Sequence, residues 1–306
     1  MLQHEQQLLA TPYGHQVAVQ TWSPEDDCQS VIQIAHGMGE YGDRYARFAQ
    51  RAVDRGYAVC VHDHRGHGSK ADLPRLFAAS DGWRKVIADV EVVNAFARER
   101  FGDKALILLG HSMGSFIAQS FAMLYSDRLS GMILSASTWP VKIQLLPALA
   151  LAQLEAWRVG PQGNSALLNK LGFDDFNKSF EPARTDRDWL SRDASEVDKY
   201  VADPLCGGPY SAGLWRDLLF GLKQVSSDKA LLQIRSDLPI LISGGASDPV
   251  GGDKGMGTLA LHYAQTGHQR LKTKIYTDGR HEMLNDVNRD EVTSDWLDWV
   301  AATTGT

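Results

Sequence analysis

The chain has 306 residues, 43% of them hydrophobic and 22% charged, a balance that suits a folded protein with a large core and excludes a repeat array or a disordered chain. A formal charge of −6 and a pI near 5.9 argue against a nucleic-acid partner, because proteins that bind polyanions present a basic face. Cys28, Cys60 and Cys206 are odd in number and widely spaced, which points to reduced thiols in a cytosolic protein rather than a disulfide framework, and no structural metal is expected.

In chain order, the start "MLQHEQQLLATPYG" lacks a charged and then apolar leader, so no secretory signal is expected. "QQLLATPYGHQVAVQTW" places two alternating runs around a Pro-Tyr-Gly turn and predicts an antiparallel hairpin at a sheet edge. "SVIQIAHG" is a compact aliphatic run expected to form a strand covered on both faces. After it, Tyr45, Phe48, Ala49, Ala52 and Val53 fall at helical spacing, and Gly56 marks the stop.

The unit then repeats. "YAVCVHDH" reads as a strand, and Trp83, Val86, Ile87, Val90 and Val93 line one helical face behind an N-cap expected at Asp81. "KALILLG", "MGSFIAQSFAMLY" and "LSGMILSAS" continue as strand, helix and strand, a succession that predicts a mostly parallel sheet with right-handed crossovers.

From about Trp139 to Ser236 this rhythm fails, and residues 139–236 are expected to form a helical cap inserted into a core of residues 1–138 and 237–306. The apolar stretch 139–157 is broken by Lys142, Pro147 and Glu155; it reads as an amphipathic helix and not as a transmembrane span. Strands resume at "LPILISGG" and "LKTKIYTDG", and a last helix carries Val292, Trp296 and Val300 on one side.

Chemistry enters at Gly110-His111-Ser112-Met113-Gly114, a G-x-S-x-G sequence between a buried strand and a helix. Such a turn strains the serine backbone, leaves room only for glycine two residues either side, and aims the helix N-terminus at the reacting oxygen. A serine hydroxyl needs a base, and among ten histidines His281 follows a late strand at the carboxyl edge of the sheet, whereas His262 and His268 lie in or after a helix and His4 and His15 in the hairpin.

Asp248 leaves a strand directly before Pro249 and is the expected orienting acid, with Asp253 and Asp278 as rivals. The backbone N–H groups of Met113 and of Met38, the latter between two glycines in "HGMG", are the expected oxyanion donors. His64 and His67 stand three apart in a Gly-rich loop without nearby ligand-type partners, so a structural role is expected there and no metal.

Taken together, "HGMGEYGDRY", "DHRGHGS", "GHSMGS", "SGGASDPV" and "DGRHEMLND" give a sequence that resembles the α/β-hydrolase fold family, within it the monoacylglycerol lipase and lysophospholipase branch grouped with serine aminopeptidase-like proteins. The resemblance spans nearly the whole chain outside the cap. It implies a Ser112–His281–Asp248 hydrolase with oxyanion donors at Met38 and Met113, a helical cap forming an acyl pocket, and no cofactor.

A small hydrophobic ester, a lipid among them, is then the expected substrate, with peripheral membrane contact and oligomeric state left open. The same triad would serve an aminopeptidase or an acyltransferase, and a non-catalytic binding protein on this fold is a third reading, disfavoured because every triad member has a candidate. Dehalogenase and epoxide hydrolase chemistry is disfavoured by serine where those relatives use an aspartate nucleophile.

Overall fold

The computed structural model describes residues 2–173 and 175–306. In chain order it contains β1 (Leu2–Ala10), β2 (Gln16–Pro24), β3 (Ser30–Ala35), α1 (Ala46–Val53), β4 (Tyr57–His62), α2 (Gly82–Phe101), β5 (Ala105–His111), α3 (Met113–Tyr125) and β6 (Gly131–Ser135). Helices α4 (Lys142–Val159), α5 (Ala166–Phe173), α6 (Ala194–Ala202), α7 (Ala212–Val225) and α8 (Asp228–Leu231) follow, then β7 (Ile240–Gly245), α9 (Gly252–Gln265), β8 (Leu271–Tyr276) and α10 (Arg289–Thr304).

The strands form one eight-stranded sheet in the order β1-β2-β4-β3-β5-β6-β7-β8. Pairing is antiparallel for β1–β2 and β2–β4 and parallel from there on, so the predicted hairpin is the sheet edge and the rest is the predicted parallel run. Chain order reverses about β3: the chain passes from β3 to β4 on one side and returns to β5 on the other. At such a switch point the loops leaving the two neighbouring strands diverge and open a crevice at their carboxyl ends. Register pairs Ala35 with Gly110, which sets the loop after β3 beside the loop after β5.

Strand residues divide by parity between two cores. Val31, Leu106, Leu108, Met132 and Ile242 join α2, α3 and α9 on one face, while Ile32, Ile34, Ile107, Leu109 and Leu241 join α1 and α10 on the other. Burial on both sides is why these strands read as unbroken aliphatic runs.

Two local expectations change. Asp81 stands at the start of α2 with φ 52°, and its side chain caps nothing, because the left-handed backbone turns the carboxylate away from the first-turn N–H groups. In α4 the inner face is Leu145, Leu149, Ala152 and Ala156 as a helical period requires, yet Ile143, Leu146, Leu154 and Trp157 are exposed, so the outer face is also apolar and the helix is not amphipathic in the usual sense. Among the described residues no helix is long and apolar enough to cross a membrane.

Candidate active site

Strand β5 ends at His111 and α3 begins at Met113, so Ser112 alone makes the turn, with φ 52° and ψ −118°. A non-glycine residue holds that conformation only when its surroundings impose it. Here Ser112 N–H donates to Ser135 O at 2.9 Å, and the Ser115 hydroxyl donates to Ser112 O at 2.7 Å. A Cβ on Gly110 would sit 2.4 Å from Gly114 O, and one on Gly114 would sit 2.0 Å from Ala35 O. Strand, turn, helix and neighbouring strand are thus in backbone contact, and only glycine fits at either position.

The loops after β7 and β8 are stitched to each other. Ala246 N–H donates to Tyr276 O at 2.9 Å and Ser247 N–H to Gly279 O at 3.0 Å. That seam sets Asp248 beside His281, whose Nδ1 lies 2.8 Å from Asp248 Oδ1, both side chains almost fully buried. A second lock on the acid is the Val250 N–H, which donates to the same oxygen at 2.9 Å.

Burial alone pulls the His281 imidazole down, but the Asp248 carboxylate outweighs it, so the ring sits above its ordinary pKa. With Nδ1–H engaged by the carboxylate, Nε2 is the free acceptor a general base needs. Both Ser112 and His281 face one cavity, with no hydrogen bond between them among the described residues. Catalytic contacts of this kind are commonly long before substrate binds.

The rival residues are elsewhere. Asp253 is exposed at the start of α9, and Asp278 is exposed in a turn with φ 59°. His262 pairs with Asp228 at 2.7 Å, His268 with Thr266, His15 with Asp72, and His4 stacks on Trp22.

Met38 and Met113 both line the cavity. Neither of their N–H groups donates to a protein acceptor among the described residues, Met113 because it opens a helix and Met38 because its loop turns away from the sheet.

Four of the participating groups were not legible in the sequence. Glu40, Arg44 and Glu282 form a buried charged cluster against the cavity: Arg44 donates to both Glu282 oxygens at 2.6 Å and reaches Glu40 Oε2 at 3.4 Å. The fourth is Trp189, whose backbone O accepts from His281 N–H at 3.4 Å, while Leu190 O accepts from Glu282 N–H at 2.7 Å. Its ring centroid is 4.9 Å from that of His281, and His111 covers the imidazole at 5.0 Å. The "RYA" and "RHE" spacings carried only a faint signal, acid and base in loops at one sheet edge.

His64 and His67 are buried with His36 and His62 behind the β3 loop. His64 N–H donates to His36 Nε2 at 2.9 Å, and His62 Nε2 lies 3.1 Å from His64 Nδ1. Burial holds all four imidazoles neutral, with repulsion from their neighbours in the cluster added for His36 and His64, His15 added for His62, which is pushed down to about 3, and Arg75 added for His67, pushed down to about 4. They brace the loop that carries Met38.

The cavity has a volume of about 180 Å³. Its reactive end is Gly37, Met38, Ser112, Met113 and His281; beyond it the walls are Phe116, Phe173, Phe176, Trp215, Leu218 and Leu222. Apolar walls that converge on one hydroxyl, one imidazole and two free N–H groups suit acyl transfer on a hydrophobic substrate.

Residues 26–288 match the family described as Hydrolase_4: Serine aminopeptidase, S33. The chain belongs to this family. Among its relatives, the monoacylglycerol lipase of Mycolicibacterium smegmatis is 26% identical over 294 residues, covering 94% of each chain, and the human monoglyceride lipase is 28% identical, covering 96% of this chain and 90% of that one. In structure this S33-family chain is similar to a thermostable carboxyl esterase from Bacillus coagulans, with a TM-score of 0.88 at 24% identity over 98% and 99% of the two chains. It is also similar to a monoglyceride lipase from Saccharomyces cerevisiae, at 0.76 and 18% over 99% and 96%. Its fold is the α/β-hydrolase fold.

Proposed function

We propose that the chain hydrolyses carboxylic esters through an acyl-enzyme, with Ser112 as nucleophile, His281 as base and Asp248 as orienting acid. The observation that carries this reading is the convergence on one apolar cavity of a strained serine at a helix N-terminus and an imidazole held by a buried carboxylate at 2.8 Å. Ser112 Oγ attacks the ester carbonyl as His281 Nε2 takes its proton. The oxyanion accepts from Met38 N–H and Met113 N–H, the imidazolium returns the proton to the leaving alcohol, and water repeats the cycle to release the acid.

The substrate class this reading favours is a lipid monoester, a monoacylglycerol or lysophospholipid. Relatives named monoacylglycerol and monoglyceride lipases support it, as do the aromatic and leucine walls of the cavity. Residues 139–236 act as the cap that supplies those walls apart from Phe116, which comes from α3 of the core. Exposed Ile143, Leu146, Leu154 and Trp157 on α4 fit peripheral contact with a lipid surface, and three buried free thiols fit a cytoplasmic protein.

The family's name raises amide hydrolysis as a second reading. A free substrate amine calls for an unpaired acid in the cavity, yet Glu282 is taken by Arg44 and Glu40 by backbone and tyrosine donors, which favours esters. Ser112→Ala is expected to abolish fluorophosphonate labelling and to lower ester turnover about 10⁶-fold. Labelling that persists moves the nucleophile elsewhere, and a preference for aminoacyl anilides over p-nitrophenyl esters overturns the substrate class.

A further inference from the structure

We propose that Glu40 is a positioning residue: its carboxylate fixes the loop after β3 so that Met38 N–H is the donor left facing Ser112. This rests on the reading of Ser112 as nucleophile.

The geometry begins at Gly37. Its N–H donates to Glu40 Oε1 at 2.5 Å, closing a three-residue turn around Met38 and Gly39. The same oxygen accepts from the Tyr45 hydroxyl at 2.9 Å. A Cβ placed on Gly37 would lie 2.8 Å from Glu40 Oε1 and 3.4 Å from Ser112 Cβ, so carboxylate, loop backbone and nucleophile form one packed wall. Two consecutive N–H groups face this region. Because Glu40 occupies the first, the second is left for an oxyanion.

Arg44 is shared unequally between the two glutamates. Glu282 takes both Arg44 nitrogens at 2.6 Å, which leaves Glu40 one long contact at 3.4 Å. Burial is the main effect on Glu40 and pushes its carboxyl up to about 7, with Arg44 pulling it down and Glu282 pushing it up. On Glu282, burial is outweighed by Arg44, so that carboxyl stays below its ordinary value. Groups facing Glu40 are Arg44 and Tyr45 from its own segment and Glu282 from the loop after β8. His281 feels Asp248 most strongly and both glutamates after it, and His111 stands beside them as a neutral ring.

Glu40→Ala removes acceptor and charge; Glu40→Gln keeps an acceptor for Gly37 N–H and removes the charge. With a short-chain p-nitrophenyl ester, Glu40→Ala is expected to lower kcat about 100-fold with KM within about threefold, the size of losing one oxyanion donor. Glu40→Gln, which keeps the acceptor, is expected to keep kcat within about tenfold of wild type. A Glu40→Ala enzyme within twofold of wild type overturns the proposal, and so does a Glu40→Gln enzyme whose kcat falls as far as that of Glu40→Ala. Should the alanine variant not fold, Glu40→Asp, whose shorter side chain withdraws the acceptor from Gly37 N–H, takes its place with the same expected loss and the same overturning result. Failure of the underlying reading would show separately, as ester turnover that survives Ser112→Ala.

Discussion

At the sheet rim the cavity is walled by backbone held at hydrogen-bond and collision distance, whereas at its far end it is walled by side chains of helices α3, α5 and α7. A Cβ on Gly245 would lie 2.0 Å from Gly279 O, and one on Gly114 equally close to Ala35 O, so the backbone segments at this end are packed directly on one another. The far end is held by Phe116, Phe173, Trp215 and Leu218, whose contacts are apolar and tolerate exchange of one shape for another. In the proposed reaction the catalytic geometry is set at the backbone-walled end and substrate fit at the side-chain-walled end.

The sharpest way to break that contrast is at the rigid end. Asp248→Asn keeps the shape of the acid but presents an amide to His281 Nδ1, which favours the wrong tautomer, and kcat is expected to fall about 10⁴-fold with little change in KM or melting temperature. A loss below tenfold would mean that the 2.8 Å pair does not orient the base.

At the adjustable end a smaller effect is expected. A dry cavity of roughly 150 Å³ admits a benzene-sized molecule, so about 180 Å³ holds an acyl group of about six to eight carbons. Trp215 is pinned by its Nε1–H to Asn169 Oδ1 at 3.2 Å, and the outer edge of its ring packs against Gly172, where a Cβ would sit 2.1 Å from it. Trp215→Leu is expected to raise the ratio of twelve-carbon to four-carbon ester turnover about tenfold, measured as kcat/KM on p-nitrophenyl esters. An unchanged ratio would remove Trp215 from the acyl wall.

The smallest effect concerns the joint between the two regions. Asp217 on α7 is buried against Gly82 at the start of α2, and burial pushes its carboxyl up to about 6 although Arg216 opposes it. Because the folded chain prefers the protonated acid, the charge costs stability above pH 6 and costs nothing below about pH 4, where both states are protonated. Asp217→Asn is expected to raise the melting temperature by a few degrees at pH 8 and to leave it unchanged near pH 4. Equal shifts at both pH values would show that charge is not the cause.

Most of the sheet was legible because burial on both faces writes unbroken aliphatic runs, as in "SVIQIA" and "ALILLG", and a one-residue strand-to-helix turn forces glycine at fixed offsets from Ser112. The meeting of His281 with Asp248 was legible for a related reason, each leaving a strand at the same edge. Glu40, Arg44, Glu282 and Trp189 were not, since Arg44 and Glu282 are 238 residues apart and no local period records such a meeting. Asp81 was misjudged because cap propensity assumes an extended backbone, and packing imposed a left-handed one.

The bonds from His281 N–H to Trp189 O and from Glu282 N–H to Leu190 O join the covering segment to the base's own loop. Displacing that segment would pull on the loop that holds the imidazole, so in the proposed reaction the cover over the site and the position of its base are set together.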